Sequence, residues 1–259
     1  MAKLHGKIAL ITGATGGIGE ATAKLFLQEG ASVMLVGRSA EKLAETRGRL
    51  VVKLGVERLS HFVADAADEQ ATAAAVAATV KAFGGLDILL ANAGTEGTFK
   101  PMDALTLAEF EQVLRTNVAG VWLAMKYCVA PMRQRGGGSM IAMASMAGLR
   151  GFANCTPYVA SKHAVCGMVK SAALELAPSG IRVNAIAPGP IDNRMVQSIE
   201  TQLSPDDPGL VSEGLKAQIP LKRYGTNEEV ARMALFLACE DSAYCTGGIF
   251  SIDGGYTAG

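Results

Sequence analysis

The sequence predicts an α/β protein with a doubly wound parallel sheet of about seven strands. Apolar runs of strand length alternate along the 259 residues with stretches of helical periodicity. Runs such as residues 87–91 (Asp-Ile-Leu-Leu-Ala) are apolar at successive positions, which indicates strands buried on both faces. A glycine-rich turn directly follows the first run. Because crossovers between parallel strands are right-handed, we expect ligands at the carboxyl ends of the strands.

The predicted elements follow one another regularly, with one interruption. We expect strands at residues 7–12, 32–36, 59–63, 86–91, 139–144, 181–187 and 247–252. We expect helices between them at residues 17–29, 40–54, 68–82, 106–134, 157–178 and 227–239. Residues 190–222 break the alternation with four prolines and only two short helix-like pieces. This long segment is a candidate substrate lid, and a surface loop without a catalytic role is the alternative.

Composition and charge exclude several classes of protein. Lys and Arg number 24 and so do Asp and Glu, so no basic field favours nucleic acid or an anionic membrane. No apolar run reaches the roughly 20 residues of a membrane span, and the N-terminus lacks a signal-peptide pattern. The five cysteines show no metal-ligand spacing. We therefore expect one soluble, cytoplasmic domain over residues 1–259, with reduced thiols and without a metal.

The first strand runs into the glycine-rich turn, where residues 12–19 read Thr-Gly-Ala-Thr-Gly-Gly-Ile-Gly. Backbone N–H groups at a helix N-terminus bind a dinucleotide pyrophosphate when no side chain blocks the approach. A glycine repeat in isolation is often only a turn, but a strand before it and a helix after it favour a cofactor site. The predicted cofactor contacts are Gly13, Thr15, Gly16, Gly17, Ile18 and Gly19.

The second strand ends at Gly37 and is followed by Arg38 and Ser39. In dinucleotide-binding folds, an acid about twenty residues after the glycines usually binds the ribose 2′-hydroxyl of NAD. Gly37 occupies that place, and Arg38 and Ser39 can instead bind a 2′-phosphate. We therefore favour NADP(H) over NAD(H). In the alternative, Arg38 is a solvated residue that stacks on adenine, and the glycine turn itself contains no Arg or Lys.

Polar side chains follow the later strands. Asn92-Ala93-Gly94 closes the fourth strand, where small residues let a cofactor lie over the strand end, although an ordinary turn is the alternative. Ser145 ends the fifth strand, where its hydroxyl can bond a substrate oxygen or merely satisfy a turn. Asn117 lies inside the predicted helix 106–134, where asparagine is mildly unfavourable, and a packed polar residue is the alternative.

Tyr158 and Lys162 lie one turn apart at the start of the predicted helix 157–178. An unperturbed tyrosine has a pKa of about 10 and is a poor base near neutral pH. A lysine ammonium nearby and an oxidised nicotinamide ring would both favour the phenolate and lower that pKa. The pair is therefore a candidate for general acid–base catalysis on an alcohol or carbonyl, and an amphipathic helix pair is the alternative.

These motifs together resemble the short-chain dehydrogenase/reductase family. The glycine turn, Asn92-Ala93-Gly94, Asn117, Ser145 and Tyr158-xxx-Lys162 occur in that family's order and spacing. The resemblance extends from about residue 4 to 257 and includes the terminal segment 251–256 (Ser-Ile-Asp-Gly-Gly-Tyr). It implies a Rossmann fold with a seven-stranded sheet and reversible hydride transfer between NAD(P) and an alcohol or ketone.

The resemblance also implies a role for each catalytic candidate. Tyr158 would be the proton donor and acceptor, Lys162 would lower its pKa and hold the nicotinamide ribose, and Ser145 would orient the substrate oxygen. Asn117 would anchor a water relay beside Lys162. Asn193 stands where the family often has a threonine that holds the carboxamide. The further cofactor contacts implied are Asp65, Ala66, Asn92, Ala93, Gly94, Pro188, Gly189, Ile191 and Asn193.

The expected substrate pocket is lined mostly by small or apolar residues at 146–156, 95–97 and 195–196. This lining favours an uncharged ketone or secondary alcohol. Glu96 and Arg150 can each meet a polar substituent or point to solvent, and Cys155 can line the entrance or fill the core.

The sequence leaves two other functions open, and the family resemblance bears on the assembly of the protein. An NAD-dependent catabolic alcohol dehydrogenase and a low-turnover regulatory protein that senses NADPH are the alternatives to an NADP(H)-dependent carbonyl reductase. The family resemblance further implies a homotetramer packed through the helices at 106–134 and 157–178, with a second interface near the last helix and strand. We expect a small-molecule substrate and no nucleic-acid or membrane partner.

Overall fold

The computed structural model describes residues 2–54 and 57–258. Seven parallel strands form one sheet in the order β3-β2-β1-β4-β5-β6-β7. The strands are β1 (Ile8–Thr12), β2 (Ser32–Gly37), β3 (Leu59–Val63), β4 (Ile88–Ala91), β5 (Gly138–Met143), β6 (Ile181–Pro188) and β7 (Ile249–Ile252). The predicted fold class is confirmed.

Helices cover both faces of the sheet. They are α1 (Gly17–Gln28), α2 (Ala40–Leu54), α3 (Glu69–Phe83), α4 (Leu107–Leu114), α5 (Gly120–Gln134), α6 (Thr156–Leu176), α7 (Arg194–Leu203), α8 (Pro208–Gln218) and α9 (Asn227–Ala238). Within the described residues, no helix combines the length and the apolar character needed to cross a membrane.

The sheet separates two apolar cores, and neighbouring residues of one strand enter different cores. On β1, Leu10 packs into the core formed with α3, α5 and α6, whereas Ala9 and Ile11 pack into the core formed with α1, α2 and α9. Side chains of a strand alternate between its two faces, so a strand buried on both sides has apolar residues in succession.

The chain reverses its direction of winding at β1, which lies between β2 and β4. The connections on the two sides of this switch point diverge, and they leave a crevice at the carboxyl ends of β1 and β4. Thr12 and Ala91 are the last residues of these two strands and pair with each other. The glycine turn and Asn92-Ala93-Gly94 therefore lie next to each other at this crevice.

The predicted helix over 106–134 is unbroken in the structure from residue 107 to 134, but it widens at its centre. A π-helical turn at residues 115–119 separates α4 from α5. The turn contains Asn117, whose side chain is fully buried and bonds to groups outside the helix. Wider turns of this kind often occur at functional sites in helices.

The predicted lid segment is mostly helical in the structure. Residues 190–222 contain α7 and α8, and Asn193 and Asp207 cap their N-termini with side-chain oxygens. Pro208 is the first residue of α8, a position where a proline loses no helical hydrogen bond. Pro208 therefore marks the beginning of a helix, not an interruption of one.

Candidate active site

The N-terminus of α1 is open to an anion. Its N-cap residue, Gly16, offers no side chain to accept from the first amides of the helix. By contrast, Asp68, Thr106 and Thr226 cap α3, α4 and α9 with side-chain oxygens. The first four amides of a helix lack intrahelical acceptors, and a phosphate is a suitable partner for them.

Glycine suits the positions of this turn for two different physical reasons. At Gly13, where φ is +62°, a Cβ would lie 2.9 Å from the Cα of Ala93, and at Gly19 it would lie 2.4 Å from the carbonyl oxygen of Gly13. These two glycines permit close packing within the protein. A Cβ at Gly16 would meet only one atom, 3.8 Å away, so this glycine faces open space. The turn thus fits a dinucleotide that approaches above Gly16.

Thr12 and Asn92 join the ends of β1 and β4. The Thr12 Oγ1 accepts hydrogen bonds from the backbone N–H groups of Asn92 and Ala93, at 3.0 and 3.1 Å. The Asn92 Nδ2 donates to the carbonyl oxygens of Thr12 and Gly13, at 3.3 and 3.0 Å. These bonds hold the floor of the crevice together. The role of Thr12 was missed from the sequence, although a hydroxyl that ends an apolar strand is a visible signal.

The ends of β2 and β3 present the residues expected to meet the adenosine half of a cofactor. Arg38 is exposed beyond Gly37, and the Ser39 Oγ accepts from the N–H of Lys42 at the start of α2. The Asp65 Oδ1 accepts from the N–H of Ala67 and so shapes the loop after β3. The N–H of Ala64 donates to the carbonyl oxygen of Gly37, which ties the two strand ends together.

Ser145, Tyr158 and Lys162 lie together at the carboxyl end of β5 and the first turns of α6. The Lys162 Nζ is buried, donates to the carbonyl oxygen of Met143 at 2.8 Å and lies 5.5 Å from the centre of the Tyr158 ring. The Ser145 Oγ accepts from the N–H of Ala147, and this hydroxyl also lowers the pKa of Tyr158. The structure therefore brings together three residues that the sequence predicts to act together.

The expected lowering of the Tyr158 pKa is wrong for the protein's own groups. Burial raises the pKa of Tyr158 to about 12, the Ser145 hydroxyl opposes this only in part, and the negative charge of Glu96 raises it further. Burial also lowers the pKa of Lys162 to about 8, because an ammonium loses its hydration there. The side chains around Tyr158 thus favour the protonated phenol at neutral pH.

Asn117 joins the π-helical turn to two other elements. Its Oδ1 accepts from the N–H of Thr95 at 2.8 Å, and its Nδ2 donates to the Thr95 carbonyl oxygen and the Ser161 Oγ at 2.9 and 3.0 Å. Ser161 in turn donates to the carbonyl oxygen of Tyr158 at 2.7 Å. Both amide hydrogens of Asn117 are used within the protein, so its side chain holds the first turns of α6 in place. The sequence predicts Thr95 only as part of the pocket lining at 95–97, and Ser161 had no sequence signal that singled it out.

Gly94 shows how closely the predicted residues approach one another. A Cβ on Gly94 would lie 3.3 Å from the Asn117 Oδ1 and 3.7 Å from the Lys162 Nζ. The segment after β4, the π-helical turn and α6 therefore meet at one place, at the edge of the crevice.

Glu96 connects this place to the segment at residues 190–222. It is buried and accepts two hydrogen bonds from the guanidinium of Arg194, at 3.1 and 3.2 Å, at the start of α7. Gln202, near the end of α7, accepts from the N–H of Phe99 and donates to the carbonyl oxygen of Gly97. Glu96 is thus paired rather than solvated.

The remaining candidates lie in the loop after Ser145 and near the end of β6. Arg150 lies over the rings of Phe152 and Tyr256, and Cys155 is buried, which raises the pKa of its thiol to about 11 and favours the core-filling interpretation. Asn193 caps α7 and its Nδ2 donates to Asn227.

The segment at the end of β6 is packed closely. Pro188 ends β6 and Ile191 is buried, while a Cβ on Gly189 would lie 2.8 Å from the Cα of Asp253. Across residues 2–54 and 57–258, no three His, Cys, Asp or Glu side chains are grouped as a metal site would need.

Comparisons with known proteins agree on one family. A family model of short-chain dehydrogenases/reductases, described as "Enoyl-(Acyl carrier protein) reductase", matches residues 13–257. Levodione reductase of Leifsonia aquatica is 38% identical over 252 residues, which cover 97% of this chain and 94% of that protein. The chain belongs to the short-chain dehydrogenase/reductase family.

Two further relatives have different substrates. Cyclohexanol dehydrogenase of Acinetobacter sp. (strain SE19) is 36% identical over 259 residues, covering 99% of this chain and 97% of that protein. The structure of NAD⁺-bound xylitol dehydrogenase matches with a TM-score of 0.91 and 34% identity, over 96% of this chain and 98% of that one. The crystal structure of levodione reductase matches with a TM-score of 0.96 and 37% identity, over 98% and 99% of the two chains. This short-chain dehydrogenase/reductase is therefore an oxidoreductase of alcohol and ketone groups that uses a nicotinamide cofactor.

Proposed function

We propose that the protein is an NADP(H)-dependent carbonyl reductase or alcohol dehydrogenase that acts on an uncharged ketone or secondary alcohol. The observation that carries the proposal is the grouping of Ser145, Tyr158 and Lys162 beside Gly94 and next to the open N-terminus of α1. A general acid, a hydroxyl that can hold an oxygen and a phosphate-binding helix end then lie on one edge of the sheet.

Tyr158 is the proposed proton donor in the direction of reduction. Its raised pKa keeps the phenol protonated at neutral pH, so it can donate its proton to the oxygen of the ketone. Ser145 holds that oxygen by a hydrogen bond that strengthens as negative charge develops on it. A bound nicotinamide cofactor supplies the hydride in reduction and accepts it in oxidation.

The chain also offers residues that would hold the cofactor. The turn at residues 13–19 would bind the pyrophosphate, and Asp65, Ala66, Asn92, Ala93 and Gly94 would line the crevice up to Lys162. Pro188, Gly189, Ile191 and Asn193 would adjoin the nicotinamide, with Asn193 limited by its bonds in the α7 cap. Lys162 would hold the ribose, and its positive charge would favour the phenolate when the reaction runs as an oxidation.

The preference for NADP(H) rests on Arg38 and on the absence of an acid at Gly37. Arg38 is exposed at the end of β2, where a guanidinium can bind a 2′-phosphate through two hydrogen bonds. The relative that binds NAD⁺, xylitol dehydrogenase, shows that the fold also serves NAD. An NAD-dependent alcohol dehydrogenase is therefore the second candidate.

The test is the initial rate with NADPH and with NADH over a panel of substrates that includes cyclohexanone. An enoyl thioester belongs in the panel, because the description of the matching family model names enoyl reduction. Faster ketone reduction with NADPH supports the proposal, and faster reduction with NADH overturns the cofactor preference alone. Binding of NADPH without turnover of any substrate favours a regulatory sensor.

Tyr158→Phe is the matched variant for this test, because it removes only the phenolic oxygen. We expect turnover to fall by at least about 100-fold, in the range usual for loss of a general acid. Binding of NADPH, followed by its fluorescence, should remain. Turnover equal to that of the wild type would exclude Tyr158 as the proton donor.

A further inference from the structure

We propose that the C-terminal turn at residues 253–257 forms part of the substrate site, and that Tyr256 sets the size of the ketone that the enzyme accepts. The inference deepens the proposed function and rests on it. Four sets of contacts support it.

The turn is held in shape by its own side chains. The two carboxylate oxygens of Asp253 accept from the N–H groups of Gly255 and Thr257 and from the Thr257 hydroxyl. Gly254 and Gly255 have φ values of +64° and +90°, which other residues adopt only with strain. The turn therefore presents Tyr256 in a defined direction.

The turn packs closely against the end of the lid segment. The Tyr256 hydroxyl donates to the Gln218 Oε1 at 2.7 Å, at the last residue of α8. The N–H of Leu221 donates to the carbonyl oxygen of Gly254 at 3.2 Å. A Cβ on Gly254 would lie 2.7 Å from the Cγ2 of Ile219, so no larger residue fits there without movement.

The same tyrosine contacts the loop that follows Ser145. The guanidinium of Arg150 lies 5.2 Å from the centre of the Tyr256 ring and 5.5 Å from that of Phe152, and it donates to the carbonyl oxygen of Tyr256. The rings of Phe152 and Tyr256 lie 6.1 Å apart. Stacking of a guanidinium on aromatic faces stabilises this arrangement.

These contacts enclose a small apolar cluster that is separate from the two cores of the sheet. Its buried members are Val196, Ile219, Tyr224 and Tyr256, and Met146, Phe152 and Leu215 pack against them. Met146 directly follows Ser145, and Val196 lies in the first turn of α7. The cluster thus extends from the residue proposed to hold the substrate oxygen to the C-terminal turn.

This geometry points to a cyclic or otherwise compact apolar ketone as the substrate class. Tyr256 is the largest side chain that the C-terminal turn contributes, and only 9% of it is exposed. Its removal should leave space in the cluster against which Met146 packs, and a substituent on the substrate ring can fill that space. One relative, cyclohexanol dehydrogenase, is named for a cyclic alcohol, which supports a cyclic substrate for this enzyme.

The test compares kcat/KM for cyclohexanone and for 4-tert-butylcyclohexanone. We expect Tyr256→Ala to raise the ratio of bulky to small ketone by at least about 10-fold, since a few methyl groups in an apolar pocket are worth that much. Tyr256→Leu, a milder change if the alanine variant folds poorly, should raise the ratio less. Tyr244→Ala is the matched control, because Tyr244 is fully exposed in the turn before β7.

The ratios and the Tm together distinguish a role of Tyr256 in the substrate site from a purely structural role. A ratio within twofold of wild type in both Tyr256 variants, with a lowered Tm, would show that Tyr256 only stabilises the fold and would overturn the inference. Equal changes in the Tyr256 and Tyr244 variants would do the same. Absence of turnover by wild-type enzyme with every ketone would instead overturn the proposed function, and this inference with it.

Discussion

Single side chains at the crevice have properties that depend on burial more than on their neighbours in sequence. Tyr158 and Lys162 lie one helical turn apart, and the pKa of each shifts in the direction that favours its own neutral form. The pKa of Tyr158 rises to about 12, and that of Lys162 falls to about 8. Both shifts have desolvation as their largest cause, because burial penalises the phenolate and the ammonium alike. The protein alone thus sets up a proton donor in the reductive direction.

Lys162 should make the stability of the protein depend on pH. Because its pKa is lower in the native state, the unfolded chain binds more protons between about pH 8 and 10.5, and the free energy of unfolding rises with pH there. We expect Lys162→Met to remove about 2 kcal/mol of that rise between pH 8 and 10, as measured by urea unfolding.

Lys170→Met serves as the control for this measurement, because Lys170 is exposed on the same helix. Lys162 and Lys170 both lower the pKa of the Cys166 thiol, so each variant changes the titration of that group. Comparison of the two variants with each other therefore separates the lowered pKa of Lys162 from this shared effect. If the Lys162→Met curve runs parallel to the wild-type curve over this range, the lowered pKa of Lys162 is wrong.

Gly37 offers a direct test of cofactor preference. A Cβ there would lie 3.5 Å from the Cγ2 of Thr15, an ordinary contact, so a side chain is tolerated. We expect Gly37→Asp to lower the NADPH-to-NADH ratio of kcat/KM by about 100-fold, because a carboxylate repels the 2′-phosphate. Gly37→Asn, of nearly the same size but without charge, should change the ratio much less. Equal effects of the two variants would mean that shape, not charge, sets the preference.

Among the secondary-structure elements, the contacts between the loop after β4, the π-helical turn and α7 decide how the site is assembled. Asn117 bonds to Thr95, Glu96 pairs with Arg194, and Gln202 bonds to both Gly97 and Phe99. The loop that begins at Gly94 is therefore held between the π-helical turn and α7, in the predicted lid segment. Whether the lid opens during turnover stays a prediction.

The Glu96–Arg194 pair should stabilise this assembly more than an ion pair at the surface does. Glu96 has 7% of its side chain exposed, so Arg194→Met would leave a buried carboxylate without its partner. Because Arg194 itself is mostly exposed, we expect a loss of about 2 kcal/mol in urea unfolding, below the range for fully buried pairs. Cleavage within α7 by a dilute protease should become faster.

Arg223→Met is the matched control, because Arg223 makes a similar two-bond contact with Glu229 at the surface. Surface pairs are worth about 0–1 kcal/mol, so the control should lose little stability. Similar losses of stability in both variants would show that the burial of Glu96 does not make its ion pair more stabilising than a surface pair.

For the molecule as a whole, the oligomeric state and the cellular location of the protein remain predictions. The family resemblance implies a homotetramer that packs through the helices at 106–134 and 157–178. Half of Trp122 is exposed on α5, where such an interface would cover it. All five cysteines are free thiols in the structure. The cytoplasmic location stays a prediction.

Light scattering of the purified protein should give a mass near four times the 26.8 kDa of one chain. We expect Trp122→Glu to shift the mass to smaller species, because a charge at a buried interface is unfavourable. Val52→Glu is the control, since Val52 is exposed on α2, away from the implied interface. A wild-type mass of one chain would overturn the predicted tetramer.

Most of the fold could be predicted because its signals are local. The seven strands are found within a few residues of their predicted places, since apolar succession and period-two alternation follow from burial on two faces. The glycine turn was recognised for the same reason, as a strand, a flexible turn and a helix in succession. The widened turn within the helix at 106–134 could not be predicted, because helical periodicity does not distinguish an α-turn from a wider π-turn.

The local pattern of residues was enough to establish the α/β class, the order of its elements and the grouping of Ser145, Tyr158 and Lys162 at one edge of the sheet. Only tertiary structure decided the partners of Glu96, Asn117 and Arg150, which lie 98, 22 and 106 residues from theirs. It also decided the direction of the Tyr158 pKa shift. Periodicity depends on neighbours along the chain, whereas pairing and desolvation depend on which distant segments pack together, and that is a property of the folded chain.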